Sequence, residues 1–457
     1  MTCEPGLAAD PNETFSASVR DLGSKLTIPG IAFAVIRSGE VVSTGELNPE
    51  PGSPPLTIHT PLRFASITKG LTAVALMRAV DRGALTLDDS AGKWLPAFAD
   101  QPQITLRHLA AHVSEGTPGA EYVYATQRYA KLGPILVSAL KASSFDAVLR
   151  QEVVDPLRMT WHDSPDLGAH AAFVSTVADM AKFVSGLQRN TLLSPRRFEE
   201  MTTPYESKAG RSPVGVGFFS QQIGGEQVVW SFGQDDPDYS SALLLMLPKR
   251  KLALVMLANT DELSNPFRLL MGDVRYSPFA TAFLDAYAPD VARGITERER
   301  LVQSALIDIS SQQRDQATGK FRRFAQLGAP RADDVVPHFL AVMIGDGESK
   351  EFNESLDRTV LGAHPGNRWV LLLSGGLQEG LGHRVAASER YLSILALQNQ
   401  EPDGLATLFR AWACGGLARV NKASDRQLAL KYVEQGLATG VTGSTRDDLL
   451  ALRRDLE

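Results

Sequence analysis

The chain has 457 residues, of which 44% are hydrophobic and 21% charged, with a net charge of −6. That is a globular composition, and its acidic balance offers no basic field to hold nucleic acid or anionic lipid. Two cysteines, Cys3 and Cys414, exclude a disulfide framework and a cysteine-based zinc site.

The length exceeds what one hydrophobic core usually serves, so two domains are expected. The opening residues through Glu13 carry Glu4, Asp10 and Glu13 and no apolar run, unlike a secretory signal. No stretch reaches the roughly 18 apolar residues of a membrane helix. A cytoplasmic location without membrane contact is therefore expected. Residues 31–47 read as two strands turning at Ser38-Gly39. From about 66 to 205 the pattern is helical: Leu71, Val74, Ala75, Met77 and Val80 follow at helical spacing, with Gly83 as the stop. Thr176 and Asp179 resemble a capping box before Met180, Phe183 and Leu187.

Strand patterns return at Val214–Phe219, Val228–Phe232, Ser241–Leu247 and Leu252–Leu257. Strands at both ends of a helical middle predict one sheet built from two distant pieces. The short late connections favour antiparallel pairing. The expected class is α+β, with the helical lobe beside the sheet and a small-molecule cleft at the seam. Composition changes near Asp290–Arg300, which divides the chain into residues 15–290 and an all-α region, 295–457. There Leu371, Gly375, Gly382, Ala387 and Tyr391 fall at offsets resembling a tetratricopeptide helix pair, and Ala411–Leu437 echoes it. Such pairs often present a groove to a protein partner; an ordinary helical cap fits the pattern equally well.

Phe64-Ala65-Ser66-Ile67-Thr68-Lys69 places a serine three residues before a lysine at a helix start. Positions i and i+3 share a helix face, so the amine can reach the hydroxyl. A serine hydroxyl attacks only once a base takes its proton, and a lysine serves if burial lowers its pKa. Ser-x-x-Lys alone is weak evidence, since Ser90–Lys93 and Ser138–Lys141 repeat it. The surroundings of the first separate it from the others. Phe64 to Ala73 resembles the first motif of the serine β-lactamase and penicillin-binding-protein family, with its class C-related esterases, peptidases and acyltransferases. The resemblance continues through Ala79–Asp89, Trp94-Leu95-Pro96, Ile104–Leu109, His112-Val113-Ser114 and Pro156–Met159, and covers about residues 15–288.

It implies that family's fold, a Ser66 nucleophile beside Lys69, and no cofactor. Tyr124-Ala125-Thr126, in register with Tyr129 and Leu132-Gly133, is similar to the second motif, which implies a share in proton transfer for Tyr124. Thr126 departs from the family's Asn. Ser231-Phe232-Gly233 stands at the third motif, with Ser231 where a cation is usual. The backbone N–H groups of Gln234 and Ser66 are implied as the oxyanion hole, and Thr126, Ser231, Phe232 and Gly233 as substrate contacts. Asp235, Asp236 and Asp238 follow at once and repel anions. These features predict a serine hydrolase or acyltransferase that takes a neutral or cationic ester or amide rather than a β-lactam antibiotic. Water, an alcohol or an amine then receives the acyl group. A catalytically silent binding or scaffold protein is the alternative. The eight histidines show no metal spacing, and His108 and His112 read as structural. No Gly-x-Ser-x-Gly elbow, phosphate loop or dinucleotide fingerprint occurs.

Overall fold

The computed structural model describes residues 10–48, 55–235, 240–397 and 404–457. Cys3, Glu4 and the residues around them, with Asp236 and Asp238, lie outside the described residues.

Ile31-Ala-Phe-Ala-Val-Ile is an unbroken apolar run, and the strand it forms, β1 (Ile31–Arg37), is buried on both faces. Ala32, Ala34 and Ile36 face the core that holds the helix Thr68–Asp81, while Ile31, Phe33 and Val35 face a second core. Ser38 and Gly39 turn the chain with φ of 52° and 83°, the paired positive values of a type I′ hairpin. The returning strand, β2 (Glu40–Leu47), is the sheet edge, and Glu40, Ser43, Thr44 and Glu46 blunt it. A short pair, β3 (Leu62–Arg63) with β4 (Val174–Ser175), stands apart. Four late strands, β5 (Phe219–Ile223), β6 (Glu226–Asp235), β7 (Ser240–Leu247) and β8 (Leu252–Ala258), complete the main sheet. Its order is β2-β1-β8-β7-β6-β5, with antiparallel neighbours throughout. The two distant pieces of chain join where β1 pairs with β8, from Ile31 opposite Ala258 to Arg37 opposite Leu252.

The strand predicted at Val214–Phe219 is displaced. Val214 bridges directly to Phe219, the residues between bend back, and the strand runs on from Phe219 instead. Gly217 has φ 73° and lies where a Cβ would come within 2.5 Å of the Tyr129 hydroxyl. Contact with the helical lobe therefore shapes this turn, against the local apolar pattern. The helical middle is also less continuous than predicted: residues 111–125 and 155–173 contain no helix. Thr176 does cap the helix Val177–Gln188, accepting from the Asp179 N–H at 3.0 Å.

The sheet separates two cores. One packs β1, β7 and β8 against the helices Thr68–Asp81, Leu132–Leu140 and Val177–Gln188. The other begins with Phe15 and Val19 and continues through Phe279 and Phe283 into Val302, Phe321, Leu340 and Leu356. Helices between Glu297 and Gly380 thus bury apolar residues in the core that backs the sheet. Farther along, Arg368–Gly380 and Arg384–Ala396 pair closely: Leu371, Ala387 and Tyr391 share one apolar cluster, and Gly375 abuts the Tyr391 ring. The last three helices, Gly404–Asn421, Arg426–Leu437 and Gly443–Leu456, extend this packing. Among the described residues no single helix is long and apolar enough to cross a membrane.

Candidate active site

Ser66 lies in a single 3-10 turn, Ala65–Ile67, that runs directly into the helix Thr68–Asp81. The turn is sharp because Ala65, which is not a glycine, takes φ 45°; the left-handed region costs an L-residue on the order of 1–2 kcal/mol. Three bonds hold it. The Phe64 N–H donates to the Phe173 carbonyl at 2.9 Å. The Thr68 hydroxyl donates to the Ala65 carbonyl at 2.5 Å and accepts from the Phe173 N–H at 3.2 Å. Ser66 is left partly exposed, one helical turn from Lys69.

Lys69 is 2% exposed. Its Nζ donates to Ser66 Oγ at 2.8 Å and to the His170 carbonyl at 3.0 Å. The same amine sits 4.8 Å from the centroid of the Tyr124 ring and 5.7 Å from that of Tyr129. Burial lowers its pKa to about 7, because a desolvated ammonium loses its hydration without a counter-charge. Neighbouring rings stay neutral as well. Burial and the Lys69 charge bring His170 down to about 4 and push His112 well below the usual imidazole value.

Tyr124 reaches the same point from a loop. Burial raises its pKa, and the nearby Ser66 hydroxyl offsets the rise only in part. The two titratable partners of Ser66 are therefore pushed in opposite directions, toward a neutral amine and a protonated phenol. The Tyr124 ring lies between His112 at 4.6 Å and Phe232 at 5.5 Å, with Phe219 stacked at 6.2 Å. His112 Nδ1 accepts from the Ala125 N–H at 3.1 Å, which fixes the backbone next to Tyr124. The Tyr129 hydroxyl donates to the Lys69 carbonyl at 2.8 Å and ties the second helix to the first. Thr126 begins the helix Thr126–Ala130 and is partly exposed.

Strand β6 closes the other side. A Cβ on Gly233 would lie 2.3 Å from the Phe64 carbonyl oxygen, so only glycine lets the strand approach the Ser66 turn this closely. Ser264 Oγ donates to the Gly233 carbonyl at 3.1 Å and Ser240 Oγ to the Arg63 carbonyl at 2.9 Å, locking strand and turn together. Gln234 is the next residue, partly exposed, opposite Ser241. Phe232 points to the opposite face of β6 from Ser231 and packs on Tyr124. Ser231, read as the stand-in for a cation, is 3% exposed and sits within the sheet opposite Leu244.

The structure thus brings Ser66, Lys69, Tyr124 and Gly233 together, and separates the other two Ser-x-x-Lys pairs. Ser90 caps the 3-10 turn Ala91–Lys93, whose lysine pairs with Asp89 at 2.9 Å on the surface. Lys141 ends the helix Leu132–Leu140 in the left-handed region. His108 closes a capping box with Thr105 and meets the Tyr205 hydroxyl at 3.2 Å. Sequence reasoning missed the segment Ala169–Phe173, whose carbonyls accept from Thr72 and Lys69. It works through its backbone, and backbone roles leave no side-chain signal.

The Beta-lactamase family model matches residues 15–270. Esterase EstB of Burkholderia gladioli is 33% identical over 117 residues, covering 24% of this chain and 29% of the esterase. Monacolin J acid methylbutanoyltransferase of Aspergillus terreus is 34% identical over 89 residues, covering 16% of this chain and 21% of the transferase. The chain therefore spans under a third of the length of either enzyme. In fold it is similar to an octameric penicillin-binding protein homologue from Pyrococcus abyssi, with a TM-score of 0.52 at 19% identity, covering 64% of this chain and 81% of that one. The family match takes in more than half of the chain, including Ser66, Lys69, Tyr124 and Gly233. By that match, and by the sheet and helices on which those residues meet, the chain belongs to the Beta-lactamase family.

Proposed function

We propose that this protein is a serine acyl-transfer enzyme, a hydrolase or acyltransferase, working through an acyl-enzyme on Ser66. One observation carries the reading: a buried lysine amine, lowered to about 7, lies 2.8 Å from a partly exposed serine hydroxyl. In its neutral form Lys69 accepts the Ser66 proton while Oγ attacks an ester or amide carbonyl. Tyr124, protonated and close to Ser66, passes a proton to the departing alcohol or amine and is reprotonated from Lys69. The backbone N–H groups of Ser66 and Gln234 hold the oxyanion. Water, an alcohol or an amine then takes the acyl group and returns the proton to Ser66. The esterase and transferase relatives support both outcomes.

The substrate is a neutral or cationic small molecule. Ser231 supplies no charge where a carboxylate would need one. The turn that donates to the Gly233 carbonyl through Ser264 also carries adjacent acids, Asp261 and Glu262. A p-nitrophenyl ester panel followed by intact-protein mass spectrometry tests the proposal. The expected result is one acyl group on wild type and none on Ser66→Ala. Unlabelled wild type overturns it. Adding alcohols or amines to the labelled enzyme then separates hydrolysis from transfer, and rapid turnover of a penicillin or cephalosporin contradicts the substrate class.

A further inference from the structure

Tyr124 is the one member of the cluster held by no helix or strand, and residues 111–125 must satisfy their backbone without a helix or a sheet ladder. Within the segment the Val123 N–H donates to the His112 carbonyl at 2.9 Å, and the Gly119 N–H to the Val113 carbonyl at 2.7 Å. Further contacts, one to the backbone and two to side chains of the segment, come from three consecutive residues far along the chain. Gly366, Asn367 and Arg368 lie at the junction between the helices Lys350–Ala363 and Arg368–Gly380. The Gly366 N–H donates to Glu121 at 3.1 Å. Asn367 Nδ2 donates to the Tyr122 carbonyl at 2.9 Å, while its Oδ1 caps its own helix, accepting from the Trp369 and Val370 N–H groups. Arg368 pairs with Glu115 at 2.9 Å, the two side chains only 11% and 8% exposed. Behind them Trp369 packs edge-on against Phe409 at 4.8 Å and beside Trp412 at 5.7 Å, anchoring the junction to the helix Gly404–Asn421.

We infer that the 366–368 junction of the C-terminal helical region is a clamp that positions Tyr124 for acyl transfer, with Asn367 and Arg368 as positioning residues. The inference rests on the reading of Ser66 as the acylated nucleophile. The physical reason is leverage. The phenol must stay within hydrogen-bond reach of Ser66, and a misplacement of about 1 Å can cost about a hundredfold in rate. A loop with no lattice of its own holds that tolerance only when rigid elements on both sides grip it. On one side His112, buried and stacked on Tyr129 at 5.4 Å, ties the segment to the core of the catalytic region, and the helical region grips the other. On this account the helical region is part of the acyl-transfer machinery.

Asn367→Asp is the decisive variant in the full chain, because aspartate keeps the helix cap while the donor to the Tyr122 carbonyl is lost. The expected result has three parts: the acylation rate constant with a p-nitrophenyl ester falls at least about tenfold, the apparent affinity for the ester and the Tm stay at wild-type values, and amide exchange accelerates in residues 113–125. Arg368→Lys, which keeps a cation beside Glu115, gives a smaller loss of the same kind. Acylation within about twofold of wild type overturns the inference; so does a rate loss that tracks a fall in Tm, or unchanged exchange in 113–125. Should wild type itself fail to acylate at Ser66, the functional reading falls, and the exchange measurement alone then decides whether the clamp holds the segment.

Discussion

Lys69 Nζ lies 2.8 Å from Ser66 Oγ while the lysine itself is 2% exposed. The helix start places the two groups together, and the surrounding core determines the protonation state of the amine. Proximity alone would leave a charged lysine beside a poor nucleophile. Burial favours the neutral amine that the proposed chemistry needs.

The acylation rate constant should therefore rise with pH through about 7, the value to which burial lowers Lys69, and level off above it. Stopped-flow release of p-nitrophenol across that range measures it. Lys69→Met should lower the plateau by about 10²–10⁴-fold. A profile that is flat through neutrality contradicts the assignment of Lys69 as base.

The same burial costs stability. An unfolded lysine titrates near 10.4 and the folded one near 7, so between these values the unfolded chain holds a proton that the native one has lost. Stability from this group is complete above the unfolded value, falls as pH drops toward 7, and stays at its lowest below that. Lys69→Met removes the cost. It should raise unfolding free energy near neutral pH by at most roughly 5 kcal/mol, with the gain shrinking as pH rises. Urea denaturation at neutral and alkaline pH checks the sign.

Tyr124→Phe keeps the ring against His112, Phe219 and Phe232 and removes only the hydroxyl that meets Ser66. Acylation should fall about a hundredfold or more with Tm unchanged. Ring packing as the only role of Tyr124 would leave the rate intact.

Gly233→Ala places a methyl group where 2.3 Å separates it from the Phe64 carbonyl oxygen. The carbonyl belongs to backbone locked by Phe173, so β6 must yield. We expect a loss of acylation of more than about tenfold, as the strand carrying the Gln234 N–H moves off the Ser66 turn. Ser231→Ala, buried within the sheet, should have far less effect on the same assay.

The meeting of the three motifs is an expectation drawn from the family resemblance, while the amino-acid order by itself determined the two-part sheet and the Ser66 helix. These features rest on local signals that survive without partners: apolar runs long enough for strands, helical spacing after Lys69, and a Ser38-Gly39 turn. Tertiary structure alone decided the rest. Val214 turns back before β5 because the helical lobe fills the space beside Gly217. The pKa of Lys69 falls only because distant side chains remove its water. The segment 111–125 takes its shape from His112 and from Asn367, whose partner in the chain lies 245 residues away. Long-range packing and desolvation are properties of what surrounds a residue, and no neighbouring letters encode them.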